Sequence, residues 1–259
     1  MHLRNDTGNN LSNQSQFTQR RVRILVAIII IFVLAVIGLC IPFIPNKTTQ
    51  LKSNLIDVMQ KDASTNPDIP TSAISIIYQD NGWLVATVNI NEGGVAVFHD
   101  VDNKYVLVAV GTNVTAIYLL QHSVPTDVIA KAIGRPFADQ LAIECNYSGG
   151  TTPGYAGFDS TFANGQVQLD PTAITTAQTA LSTAVATKNT AASSSQQVIC
   201  VNAISDGSSQ TAIPNANVTT TFDVQFITKN GDITTHKVSI IVDMNFNTTI
   251  TLDGTTLSS

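Results

Sequence analysis

The stretch that decides the fold runs from Ile74 to Val110: ISIIYQDNGWLVATVNINEGGVAVFHDVDNKYVLVAV. Short apolar runs alternate here with turn residues. Ile74, Ile76 and Tyr78 alternate, Asn81-Gly82 follows, and Trp83 to Ile90 returns. Asn-Gly between two such runs predicts a hairpin, because both central residues of the favoured turn need positive φ. Gly93-Gly94 then precede Val95 to Phe98, Asp102-Asn103 turn, and Tyr105 to Val110 return. The pattern predicts a four-stranded antiparallel meander.

Helical signals flank it. Leu51, Leu55, Ile56 and Met59 recur at helical spacing. That helix should end before Asn66-Pro67, because proline biases its predecessor away from the α region. Pro125 to Ile133 reads as a second helix, with Ser123 or Thr126 as its cap and Gly134 as its stop. Helix, meander, helix predicts an α+β layer with the helices on one face of the sheet. In this order residues 46–136 resemble the cystatin-like and NTF2-like small domains. The resemblance implies a small α+β module and carries no site residues with it.

Arg135-Pro136 reads as a linker to a second α+β domain, residues 137–259. Leu141, Ile143, Cys145 and Tyr147 alternate as a strand. A loop with Gly149, Gly150, Gly154 and Gly157 follows. Asp170-Pro171 opens a helix, with aspartate as N-cap and proline at the first helical position. Its apolar stripe is Ile174, Ala177, Leu181, Ala184 and Val185, and Thr190 to Gln197 reads as a loop. Val198 to Ile204 is a strand. Phe222 to Phe226 and Val238 to Phe246 form a hairpin across Lys229-Asn230-Gly231-Asp232, and Asn247 to Leu252 adds a short strand.

Ahead of both lies Ile24 to Pro45, ILVAIIIIFVLAVIGLCIPFIP, which holds no charge. At about 1.5 Å per residue it spans roughly the 30 Å of a bilayer core. It exceeds the roughly 7–15 residues of a signal-peptide apolar region, and no small-x-small cleavage site follows. Leu39 before Cys40 does not fit a lipoprotein signal. Arg20, Arg21 and Arg23 place residues 1–23 in the cytoplasm by the positive-inside rule. The first 19 residues are polar and rich in Asn and Gln, and read as a disordered tail. The expected architecture is therefore α+β: a tail (1–23), a transmembrane helix (24–45) in the plasma membrane, and two small extracytoplasmic domains. Each domain is an antiparallel sheet covered by one or two helices.

Charge fits this layout. The chain has 259 residues and a net charge of −5, with 12% charged residues against roughly 25% in an average protein. Residues 46–259 carry nine cations against 17 acids. An acidic outer region excludes nucleic acid as a partner. Cys145 and Cys200 would lie on the oxidising side, which predicts a disulfide. Closing that loop is worth about 4 kcal/mol in the chain-entropy model.

Candidate chemistry is sparse. His99-Asp100-Val101-Asp102 begins like a calcium loop, but Lys104 stands where an oxygen ligand is needed and no glutamate follows. A polar hairpin turn accounts for it better. Glu92 and Glu144 have no evident partner, and His122 and His236 are isolated. There is no G-x-S-x-G, H-E-x-x-H, C-x-x-C or P-loop. No catalytic residue, metal site or cofactor is assigned. Tyr147, Tyr155 and Phe158 around the glycine-rich loop are candidates for a partner-contact patch, against the plainer reading of an ordinary loop beside a disulfide.

The expectation is a membrane-anchored structural or interaction protein, not an enzyme. Its partners would be the bilayer, through residues 24–45, and an envelope protein. One span, a short tail and NTF2-like outer domains resemble the scaffold subunits of type IV secretion and conjugation machines. A pilin-like reading fails, because Arg23 precedes the apolar run and the run holds no glutamate. A surface ligand-binding module and a hydrolase using His99 or His122 are the alternatives.

Overall fold

The computed structural model describes residues 47–62, 69–89, 93–158, 161–162, 167–168, 170–212 and 217–257. The expected tail (1–23) and transmembrane helix (24–45) lie outside them. Among the described residues, no helix is long and apolar enough to cross a membrane. The chain divides into two units, Met1–Leu55 and Ile56–Ser259. Helix α1 (Lys47–Asp62) ends in the second unit, where its Ile56 and Met59 are buried.

The meander forms as read. Strands β1 (Ile74–Asp80), β2 (Trp83–Val88), β3 (Gly94–Val101) and β4 (Lys104–Gly111) pair antiparallel in chain order. Both hairpin turns have positive φ at both central residues: Asn81 49° and Gly82 79°, then Asp102 54° and Asn103 61°. One expectation changes. Trp83, Leu84, Val85 and Ala86 are buried in succession, as are Ala96, Val97 and Phe98. Successive residues point to opposite faces, so the middle of this sheet is covered on both faces rather than one.

Three short helices follow: α2 (Ala116–Gln121), α3 (Thr126–Ile133) and α4 (Phe137–Glu144). The first was not read from the sequence. Its cap is Thr115, which accepts from the Tyr118 N–H. Neither Ser123 nor Thr126 caps α3. Pro125 holds that position without a side-chain bond, and Gly134 ends the helix at φ 79°. Arg135-Pro136 lies in the short connection between α3 and α4. Where a strand is expected over Leu141 to Tyr147, α4 runs on to Glu144 and a turn at Cys145 and Asn146 follows. Phe137, Leu141 and Cys145 also recur every four residues, and these are the buried ones, whereas Ile143 is 57% exposed. In so short a segment the two periods overlap, and packing decides.

Beyond it come β5 (Gly154–Ala156), the two-residue strands β6 (Thr161–Phe162) and β7 (Val167–Gln168), and helix α5 (Pro171–Ala191). Next are β8 (Val198–Ala212), β9 (Val218–Thr228), β10 (Ile233–Val242), β11 (Thr248–Leu252) and β12 (Thr255–Leu257). The larger sheet runs β12-β11-β10-β9-β8-β5, antiparallel except where β5 joins β8 in parallel. Strand β10 stops at Val242, not Phe246, because Asp243 starts a turn. Helix α5 extends to Ala191, through the start of the expected loop.

Two cores result. In one, Ala173, Ala177, Leu181 and Val185 of α5 pack on the inner face of the larger sheet, including Phe222, Val224 and Ile240. In the other, Val85 and Val97 of the meander pack with Leu119, Ile129 and Leu141 of α2–α4. This second core also takes in Cys145, Ile199, Cys200 and Ile227, so the chain on both sides of Pro136 shares it. The remaining outer face of the larger sheet is uncharged along the cross-strand row Ser209, Thr221, Ser239, Thr251 and Thr256.

Candidate functional site

Cys145 and Cys200 form the expected disulfide, with Cα atoms 5.5 Å apart and both residues fully buried. Cys145 closes helix α4 instead of sitting in a strand, and Cys200 lies in β8. The glycine-rich loop is shaped by this junction. Gly154 pairs with Cys200, and a Cβ there would collide with the Cys145 carbonyl oxygen. That close approach lets the Tyr155 N–H donate to the same carbonyl at 2.6 Å.

The three aromatic candidates are not brought together as one patch. Tyr147 packs against the disulfide core, and its hydroxyl donates to the Gly150 carbonyl at 2.7 Å. Tyr155 and Phe158 pack against the other core. The Tyr155 hydroxyl donates to the Gln178 carbonyl at 2.6 Å and lies 2.6 Å from the Ser182 hydroxyl. Burial raises the Tyr155 pKa above 10.0, opposed by the Ser182 hydrogen bond. Phe158 meets Tyr155 and Phe222 edge-on, at centroid distances of 5.3 and 6.0 Å.

Of the histidines named as hydrolase candidates, His99 stacks on Trp83 at 4.3 Å. His122 Nδ1 lies 2.8 Å from the Tyr118 carbonyl oxygen. His236, isolated in the sequence, has company in the fold. Its Nδ1 is 2.7 Å from Asp253 Oδ2 and its Nε2 is 3.1 Å from Thr234 Oγ1. Thr234 and His236 are two apart on one strand and share a face, while Asp253 follows β11. The His236 hydrogen bond and the Lys237 N–H hold the Asp253 carboxyl below 3.8. Acid, imidazole and hydroxyl stand in the order that nucleophilic hydrolases use. Asp253 is 54% exposed, however, and none of the three residues lines the cavity at the start of α5 described below. Among the described residues, no three of His, Cys, Asp and Glu are grouped to hold a metal ion.

Glu144 also acquires partners that the sequence hid. Its carboxylate accepts from the Ala116 N–H at 2.6 Å, the Ile117 N–H at 3.0 Å and Gln140 Nε2 at 2.8 Å. It joins the end of α4 to the start of α2, a structural task.

A cavity of about 450 Å³ opens between the start of α5 and the inner face of the larger sheet. Thr172, Ala173, Thr220, Ile240, Val242 and Phe246 are among its lining. Asp170 caps α5 at its edge, accepting from the Thr172 and Ala173 N–H groups at 2.7 and 3.3 Å, and these bonds lower its pKa below 3.8. At the rim, Asp243 folds a turn. Its Oδ1 accepts from the Asn245 and Asn247 N–H groups, and its Oδ2 from Asn247 Nδ2, all at 2.8 Å. The turn displays Met244, 64% exposed, and Phe246, 87% exposed. Both lie beyond the end of β10, where the sequence pattern predicts the strand to continue. Compared with protein-family models, curated proteins and solved structures, the chain matches none.

Proposed function

We propose that this chain is a membrane-anchored extracytoplasmic interaction protein rather than an enzyme. The buried Cys145–Cys200 bridge supports an oxidising compartment, and the uncharged run 24–45 supports the anchor. The observation that carries the interaction reading is the edge strand β4, which pairs with no strand but β3 among the described residues and has the Tyr118 hydroxyl against its Val108 carbonyl at 3.5 Å. This edge strand has eight residues with Lys104 as its only charge. Val106 and Val110 are exposed along it, and Tyr118 is exposed beside it. Soluble proteins ordinarily blunt such an edge with charge or proline. It fits an extended segment of a partner protein, added as a further strand. A scaffold role in a secretion or conjugation machine is one form of this reading.

The test is a photo-crosslinking residue placed at Val106 or Val110 in cells. A discrete crosslinked protein is expected there and not from Thr235 on the larger sheet, and Val110→Lys should abolish it at Val106. Equal crosslinking at all three sites, or none, would count against the reading. A hydrolase is the second reading, favoured by the Asp253–His236–Thr234 contacts alone. Ester turnover lost in both Thr234→Ala and His236→Ala would replace the first reading with it.

A further inference from the structure

The Asp243–Asn247 turn holds a conformation that a bulky residue seldom adopts. Phe246 has φ 63°, in the left-handed region that favours glycine and asparagine. The turn is locked there by the three bonds to the Asp243 carboxylate and by two backbone bonds, Phe246 N–H to Asp243 O and Asp243 N–H to Asn247 O, both 3.0 Å. The outcome of this local strain is an aromatic ring that is almost wholly exposed. A residue strained and unburied at once points to a task outside the fold.

What the ring adjoins is the cavity. Its volume, about 450 Å³, lies within the range of small-molecule sites. Ala173, Val218, Ile240 and Val242 give it aliphatic walls. Thr220, only 2% exposed, supplies a polar point inside. Its hydroxyl accepts from Gln210 Nε2 at 3.1 Å and keeps a proton to donate. Among the described residues, the one charged side chain on the lining is Asp170, whose negative charge disfavours an anion. Apolar walls, a buried hydroxyl bonded to an exposed amide, an aromatic rim and a carboxylate together select the ligand.

We propose that this cavity binds a neutral small molecule with an apolar body and one or two hydrogen-bonding groups, and that Phe246 stacks on it at the rim. The proposal goes beyond the interaction reading and does not rest on it, since the β4 edge lies on the other sheet.

The probe is 4-hydroxybenzophenone, a neutral two-ring molecule with a hydroxyl and a photoreactive carbonyl. The full-length chain in detergent is illuminated with it, and labelled peptides are located by mass spectrometry. Label is expected on residues 218–220 and 240–248. Thr172→Trp, which fills the mouth from an exposed position, should reduce that label about tenfold, and Phe246→Ala roughly fivefold. Label on the apolar run 24–45 should stay constant and serves as the reference. The anionic 4-carboxybenzophenone should label the cavity weakly. No label above the reference level at residues 218–220 and 240–248 overturns the proposal. So does labelling indifferent to Thr172→Trp, or equal labelling by the anion. Circular dichroism of both variants separates a lost site from a lost fold.

Discussion

Strand β2 of the meander is buried from Trp83 to Ala86 without a break, whereas β9 of the larger sheet alternates buried and half-exposed residues from Thr220 to Phe226. Both are antiparallel strands in one chain. They differ in what their sequences can leave in water. Leu84, Val85 and Ala86 offer nothing polar to either face, so the meander needs cover on both. Thr221, Asp223 and Gln225 offer a solvated face, so the larger sheet needs only α5 on its inner side there. Where cover is required again, near Ile199, Cys200 and Ile227, the sequence turns apolar and the disulfide core meets it.

Breaking the bridge should give the largest effect, because it ties the two sheets through one core. Its cysteines are 55 residues apart, for which the chain-entropy model gives about 4 kcal/mol. Cys145→Ser with Cys200→Ser should lower the urea midpoint accordingly. Hydrogen exchange should quicken in β2 and in β9 together. Loss of protection in β9 alone would show that the shared core does not couple them.

Single substitutions sharpen the contrast between faces. Leu84→Ala removes a fully buried side chain and should cost about 3 kcal/mol. Thr221→Ala, on the half-open face, removes one hydrogen bond to the Ser239 hydroxyl and should cost no more than about 1 kcal/mol. Equal losses in urea unfolding would erase the distinction between the two sheets.

The same contrast explains what was legible beforehand. The hairpins were readable because Asn81-Gly82, Asp102-Asn103 and Asn230-Gly231 announce turns chemically, and the start of α5 was readable from Asp170-Pro171. The disulfide was predictable from compartment logic alone. Helix α4 was not, because Leu141, Ile143, Cys145 and Tyr147 fit period two as well as Phe137, Leu141 and Cys145 fit a helix. The contacts of Glu144 and His236 join residues brought together only by the fold, 28 and 17 positions apart. Tyr155 and Phe158 looked like surface aromatics because the loop around them is polar and rich in glycine. In fact Gly154 passes so close to Cys145 that the rings which follow turn inward.

The smallest effect is electrostatic and falls on one side of the comparison. Asp170, Asp243 and Asp253 all belong to the region of the larger sheet, and each is held below 3.8. The leading causes are backbone bonds from Thr172, side-chain bonds from Asn247 and the His236 contact, respectively. A carboxyl whose pKa is lower in the folded chain stabilises it fully above the ordinary value, and that contribution is lost as pH falls through the lowered one. Acid should therefore loosen this region before the meander. Hydrogen-exchange protection factors at the Asp243–Asn247 turn and at the start of α5 should fall below about pH 4 while those of β2 and β3 hold. Asp170→Asn keeps an oxygen that can cap α5 but carries no titrating charge. It should hold the start of α5 at neutral pH and remove the acid-dependent loss there, leaving the loss at Asp243 in place. If acid loosens β2 and the α5 start together, the two sheets do not differ in how their polar groups support them.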